Sequence, residues 1–424
     1  MQPKGTSARA REPDAVQRAC VVVAGDGIVA LAAALALRGA SGPQARIIMA
    51  ANPPLPGSAP DGRAFAISAS ARQLLDALGV WQALEKCAQR IGEIVITDSR
   101  VEDGVRPTLL SFADEAERGE ALAHMVEAQA LQQALALQAD AANIERIPQP
   151  ITDIRPDNDA TRLTLGGGLA IETPLLVAAD GARSICRELA GIGWIGWNYA
   201  QLGLTTTVLH EREHHGRAYE HFLPGGPFAI LPLKGRRSSI VWTEDKTQAK
   251  RLLSLGDADI VEELSRRFGH ELGHLRLEAP LAAFPLSFGI ARSFVARRLA
   301  LVGDAAHVVH PVAGQGLNLG LRDVSALAEA VSGALRLGLD PGAPHGLSSY
   351  QRARRFDTIA MGATTDGLVK LFSNDRPALR ALRGLGLGIV DRLPLAKRFL
   401  AAEAAGPRSR VDDEVGASGV RKEY

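Results

Sequence analysis

Asp304 stands where a carboxylate can meet a ligand: it follows Gly303 at the end of a short apolar run, Leu299 to Val302, and it is followed by His307, His310 and Pro311. Gly314 and Gly316 come next, and a periodic apolar segment, Leu317 to Leu335, reads as a helix. A strand that ends in an acid, followed by a glycine-lined helix start, offers two kinds of contact. The carboxylate accepts from hydroxyls at the carboxyl end of the sheet, where ligands of open α/β folds bind. The unpaired N–H groups of the helix start stabilise an anion, and glycine lets that backbone come close. His307 and His310 are three apart, but no third ligand stands at a spacing that would complete a metal site, so no metal is expected. Nothing in the sequence itself supports a catalytic-base role for either histidine.

A second constellation opens the chain. Gly25, Gly27 and Ala30 spell GxGxxA directly after VVVA and before an Ala-rich segment. In such a turn the first glycine allows the bend, the second admits a diphosphate, and a small third residue lets helix and strand approach. Asp26 places a negative charge beside that diphosphate, which like-charge repulsion disfavours unless it points away. The next strand ends IIMAAN, without the acid that usually holds the adenosine ribose, and leaves Asn52 as the polar residue at hand. Weakened dinucleotide affinity is the expectation.

The elements that must position these groups follow from periodicity. Ala19 to Ala24 and Arg46 to Met49 read as buried strands around a helix, Ile28 to Arg38, giving a βαβ start. Ala51 to Gly62 is a loop by composition, and helices are expected over Ser68 to Leu78, with Ser68 as its cap, and over Glu127 to Gln138. Ile144 to Ile154, Arg162 to Leu165 and Leu175 to Ala179 read as strands. From Tyr199 to Thr243 strands succeed one another through turns at His214 to Gly216, Pro224 to Pro227 and Gly235 to Arg237, as in an antiparallel sheet. A helix is expected over Ile260 to Phe268 and another over Leu347 to Phe372.

Bulk properties narrow the function. A chain of 424 residues with 46% hydrophobic composition supports two or three domains, and a net charge of +1 gives no field to attract nucleic acid. Cys20, Cys87 and Cys186 are an odd three without paired spacing, which fits a reducing, cytoplasmic setting. The first eighteen residues lack the apolar centre of a secretory signal, and the run Cys20 to Leu37 is broken by Gly25, Asp26 and Gly27, so no span is expected there.

Segment 298–323, RLALVGDAAHVVHPVAGQGLNLGLRD, resembles the second flavin motif of the class A flavoprotein aromatic hydroxylases, and HPVAGQGLNLGLRD is similar to their ubiquinone-biosynthesis branch. The likeness extends over residues 20–405. It implies an α/β fold: a Rossmann-like FAD-binding domain of the p-hydroxybenzoate-hydroxylase type, an inserted, mostly antiparallel substrate sheet, and a helical C-terminus. The implied boundaries are a disordered tail at 1–18, an FAD domain at 19–75, 100–190 and 290–345, a substrate domain at 76–99 and 191–289, a helical region at 346–405 and a flexible end at 406–424. FAD is the implied cofactor. Carried over residue by residue, Asp304 after Gly303 takes the ribityl chain. Pro311 and the backbone of Gly314, Gln315, Gly316, Leu317 and Asn318 face the isoalloxazine, and Arg63 of the DGRAF block contacts the flavin. Asp180, in AADGARSICR, belongs to a motif near the pyrophosphate, and an ion pair with Arg183 is its structural alternative.

The stretch AYEHFLPGGPFAILPL looks like the substrate side of the same branch, with His221, Phe222, Pro232 and Trp242 as candidates for an apolar ring pocket, although aromatic strand residues are more often plain core. The family's chemistry implies a flavin C4a-hydroperoxide, dioxygen, and electrons from NAD(P)H or a protein reductant. The implied substrate is a polyprenylated phenol or benzoquinol precursor of ubiquinone. The alternatives are a quinone or lipid reductase, which consumes no oxygen, and an assembly subunit that has lost tight flavin binding. The basic and apolar tail, residues 368–400, suits either an anionic lipid surface, which would put the protein at the inner membrane, or packing on its own domain, a like subunit or other ubiquinone-biosynthesis proteins.

Overall fold

The computed structural model describes residues 16–53, 62–101, 103, 106–113, 121–269, 271–311 and 314–372. Among these, a six-stranded sheet runs in the order Val295–Ala296, Leu299–Leu301, Leu176–Ala178, Val21–Ala24, Ile47–Ala50, Glu145–Ile147, parallel except at its first pair. Its inner strands are apolar at every position because helices cover both faces. The first helix, Ile28–Ser41, packs against helix Ala128–Ala141 and against the motif helix Gln315–Arg336. Each fully buried Val or Leu in this core stabilises the fold by about 2 kcal/mol.

A nine-stranded, mostly antiparallel sheet forms the second unit. Its order is His307–Val308, Ala282–Ala291, Trp194–His210, Arg237–Asp245, Gly226–Leu233, Arg217–Leu223, Glu93–Asp98, Thr108–Ala113, with Leu275–Leu277 also paired to Trp194–His210. Alternation along its strands separates two faces. Leu204, Phe228, Ile230, Ile240 and Trp242 lie on the outer face, under helices Lys246–Leu253 and Asp257–Phe268. Ala218, Leu231 and Leu233 lie on the inner face, against Ala64, Ala66 and Met125 of a three-stranded sheet made by Ala64–Ile67, Ala123–Glu127 and Gln89–Ile91. A four-stranded sheet, Gln17–Arg18, Ala170–Thr173, Thr161–Leu165, Ile151–Pro156, completes the layers.

Several sequence expectations shift. The single strand at 144–154 is two, Glu145–Ile147 and Ile151–Pro156, in different sheets. Pro148 and Pro150 between them have no N–H to donate to a ladder. Helix Lys246–Leu253 was not anticipated, although Asp245 caps it by accepting from the backbone N–H of Thr247 and Gln248. Thr108–Ala113, assigned above to the flavin domain, pairs with Glu93–Asp98 in the large sheet. Conversely, Val80, Trp81, Leu84 and Ala88, assigned to the substrate domain, pack in the core of the first. Residues 373–400 of the basic tail lie outside the described residues.

Candidate active site

The two glycines of the opening turn serve different partners. Gly25 adopts φ +116°, and a Cβ there would sit 2.4 Å from the Ala179 carbonyl oxygen, so the protein itself requires glycine. A Cβ on Gly27 would meet no atom within 4 Å; that side is open. Gly27 is also the N-cap of the first helix, whose start has no side-chain cap and no acid in its first turn. Ala30, fully buried, lies 3.3 Å from the Gly25 Cβ position, the close approach that a small residue permits. Asp26 and Asn52 are both exposed at this end of the sheet.

The acidic turn is built just below. Gly303 takes φ +59° and begins a 3₁₀ turn, Gly303–Ala305, that carries Asp304. The Asp304 side chain is reachable by solvent, yet protein surrounds it closely enough that burial raises its pKa, against the opposing pull of His307 and Arg63. Arg63, exposed, with its guanidinium 5.4 Å from the Phe65 ring centre, is thus close enough to act on Asp304. Val29 of the first helix ties the two motifs together. Its side chain lies 3.1 Å from the Cβ position of Gly303 and 2.9 Å from that of Gly320 on the motif helix.

A buried ion network holds this turn. Asp323 Oδ2 accepts from the Gly303 N–H at 3.0 Å and from His307 Nε2 at 2.5 Å, while Oδ1 accepts from Arg354 Nε at 2.8 Å. Burial opposes ionisation of Asp323, but His307 and Arg354 outweigh it and hold its pKa below the usual value. Arg354 also donates to Asp357 at 2.6 Å, which ties in the long last helix, Pro344–Phe372. His307 is therefore a strut of the turn. His310, fully buried, sits edge-on to Tyr199 at 5.1 Å; burial pushes its pKa down to about 4, against the pull of Asp366, so it is neutral at pH 7. Tyr199 donates to Asp366 at 2.8 Å.

At the helix start Gly314 is left-handed, φ +63°, and the helix begins at Gln315, two residues earlier than its periodicity suggested. The Asn318 side chain is spent on structure: Oδ1 accepts from Ser68 N–H at 3.1 Å and Nδ2 donates to the Ala66 carbonyl at 2.8 Å. Gln315 is buried, whereas Pro311, Gly316 and Leu317 are partly accessible. A Cβ on Gly316 would find its nearest neighbour, Val309, at 4.0 Å. The structure thus brings Asp304, Arg63 and the start of the motif helix together with strand Ala64–Ile67.

The remaining expected residues divide between the two units. Asp180 accepts from Ser184 Oγ at 2.5 Å and from Cys186 N–H at 3.0 Å, capping helix Ile185–Leu189; no ion pair to Arg183 forms. His221, Pro232 and Trp242 do not line the inner face. Register puts them on the outer face, where His221 Nδ1 pairs with Thr97 Oγ1 at 2.8 Å and Trp242 lies under Arg267, 4.2 Å from its ring centre. Strand alternation sends every second side chain to the helical layer, and composition alone does not reveal which. Phe222 is on the inner face. Sequence reading missed Asp323 as the anchor of the turn, and Glu220, the inner-face neighbour of Phe222. Among the described residues, no group of three or more His, Cys, Asp or Glu side chains is set to hold a metal ion.

The open side of Gly27, the uncapped first helix, the enclosed Asp304 and the open backbone at Gly316 fit an FAD stretched across the carboxyl ends of the parallel strands. Fold and site together define a flavoprotein monooxygenase, with a cofactor domain and a substrate sheet. The family model described as "FAD binding domain" matches residues 18–361, and the chain belongs to that family. It is 44% identical over 395 residues to the ubiquinone hydroxylase UbiL of Rhodospirillum rubrum, covering 91% of this chain and 89% of that protein. With the 3-demethoxyubiquinol 3-hydroxylase of Escherichia coli it shares 38% over 354 residues, 82% of this chain and 88% of the other. Among solved structures, p-nitrophenol 4-monooxygenase PnpA from Pseudomonas putida shares the fold, with a TM-score of 0.75, 21% identity, and coverage of 93% of this chain and 100% of that one.

Proposed function

We propose that this monooxygenase hydroxylates the ring of a polyprenylated phenol or benzoquinol intermediate in ubiquinone biosynthesis. The observation that carries this reading is the helix start at Gly314–Asn318 beside Ala66, whose strand in turn packs on the apolar inner face of the large sheet. Apolar surfaces beside a helix start suit a flat apolar ring, and the relatives named ubiquinone hydroxylase and 3-demethoxyubiquinol 3-hydroxylase match 91% and 82% of the chain. FAD, when bound, supplies the electron storage and oxygen activation that side chains lack.

The chain's own groups bind and orient. The start of the first helix, open at Gly27, would take the diphosphate, and Asp304 would accept from the ribityl hydroxyls with Arg63 close by. Pro311 and the amides of Gly314 to Leu317 would line the place of the flavin ring, where backbone N–H donors favour negative charge. Asn318 contributes its backbone, since its side chain fixes strand Ala64–Ile67. Electrons come from NAD(P)H or a protein reductant. A membrane-dissolved substrate calls for work at a lipid surface, and no helix among the described residues is long and apolar enough to cross a membrane. The test is complementation of bacterial strains that each lack one ring hydroxylation, with the quinone intermediates identified by mass spectrometry. Restoration of one hydroxylation is expected. Failure in every strain, together with no oxygen consumption by the reduced purified protein, would remove the reading.

A further inference from the structure

One row of side chains crosses the inner face of the large sheet: Leu110, Ile96, Glu220, Ala229, Val241 and Thr205, each aligned with the next by strand register. All but one are uncharged. Glu220 lies on strand Arg217–Leu223, near the middle of the sheet, flanked along its own strand by the inward residues Ala218 and Phe222. Ala218 is packed under Ala64, Ala66 and Met125, so Glu220 is the next inward position beyond the edge of that contact. Ala66 in turn touches the helix start: its Cβ is 3.8 Å from the Cβ position of Gly314, and its carbonyl is held by Asn318. Glu220 is thus the next inward position after a residue packed on the strand that the helix start holds.

The environment of Glu220 is that of a working acid–base group rather than a structural one. Its side chain is partly reachable by solvent, and among the described residues it makes no hydrogen bond or ion pair, unlike Glu93, which binds Arg217 at 2.7 Å. The surroundings raise its pKa to about 7, and burial is the cause. The charged residue nearest along this face is Asp98, opposite Phe222; the three-stranded sheet presents Ala64, Ala66 and Met125, and Asp366 of the last helix is engaged by Tyr199. An unpaired carboxyl on an otherwise apolar stretch of sheet is a cost to the fold, which marks it as a functional group.

We infer that Glu220 is a catalytic residue that hydrogen-bonds the ring hydroxyl of the phenolic substrate and takes its proton as the ring is oxygenated. The inference rests on the hydroxylase reading above. The O–H electron pair moves into the ring, making the attacked carbon electron-rich, and the proton goes to the carboxylate. One oxygen atom of dioxygen enters the ring, and the other leaves as water with the two electrons of the reductant and two protons from solvent. When the oxygenated carbon releases its hydrogen to water as a proton, the Glu220 proton returns to the same ring oxygen and aromaticity is restored. Glu220 ends as it began.

Three measurements on FAD-loaded protein test this. Binding of a short-chain prenylated phenol and of its methyl ether is followed by perturbation of the flavin absorption at pH 8. The wild type should prefer the phenol by about tenfold, as expected for a hydrogen bond to a charged group, and Glu220→Leu should bind the two alike. In single turnovers after chemical reduction, Glu220→Gln should form hydroxylated product about 100-fold more slowly at pH 7. That gap should close toward pH 10, where the phenol ionises unaided. Third, Glu220→Gln should melt higher than wild type at pH 8, and the gap should shrink from about pH 7 downward and close below about pH 4, since a carboxyl raised in the fold costs stability from its unfolded pKa upward and fully above the folded one. A wild type that shows the phenol preference without hydroxylation sinks the hydroxylase reading and leaves the contact standing. A wild type that hydroxylates, with Glu220→Leu keeping the preference or Glu220→Gln keeping the rate, overturns the assignment of Glu220 alone.

Discussion

Gly25 and Gly27 stand two residues apart and are glycine for different reasons, which a pair of substitutions can separate. Gly25→Val forces a Cβ against the Ala179 carbonyl in a left-handed backbone and should lower the melting temperature with or without FAD. Gly27→Val meets open space, so the apoprotein should melt as wild type while flavin affinity falls by at least about tenfold, in line with losing ~1.4 kcal/mol of contact. Flavin fluorescence and calorimetry on both variants decide; an equal stability loss in the two would refute the distinction. At this scale the sequence showed Asp304, because a Gly-Asp after an apolar strand is a local pattern. Glu220 was hidden, because its meaning depends on which face of a distant sheet it joins.

The turn that carries Asp304 is short, and its stiffness comes from elements far along the chain. Asp323 on the motif helix and Arg354 on the last helix converge on Gly303 and His307, so three segments share one buried charge cluster. Asp323→Ala leaves His307 and Arg354 without their shared acceptor and should cost about 3–5 kcal/mol in urea unfolding at pH 7. Because the folded pKa of Asp323 is depressed, its contribution is present above the unfolded value near 4 and is lost as pH falls through the lower folded value. The difference between wild type and variant should therefore shrink in strong acid; a constant difference from pH 7 to pH 2 would contradict the network. Helix positions were readable from periodicity, but not their caps: Gly314, Asp245 and Ser184 start helices through local geometry that apolar spacing does not encode.

Across the whole molecule, buried neutral histidines set a limit in acid. His221 and His310 are both held to about 4 by burial, opposite to the substrate-side carboxyl. In the unfolded chain they protonate near 6.5, so stability should drop as pH falls from 6.5 to 4, on the order of 3 kcal/mol for each. His221→Asn should flatten that slope in melts between pH 7 and pH 4.5; an unchanged slope would show that His221 titrates normally. The two-unit architecture was legible because βαβ and antiparallel patterns differ in period. The boundary between the units was not, since Thr108–Ala113 joins the large sheet by a pairing that no short-range signal announces.

Val29 touches both the Gly303 turn and Gly320, across nearly three hundred residues of intervening chain. The first glycine turn thus leaves the ribosome long before the surface it must lean on has been made. A flavin held by both motifs would be captured late in the life of the nascent polypeptide, after the entire large sheet has emerged. Scarcity of the vitamin would then be felt by nearly finished chains rather than by short beginnings.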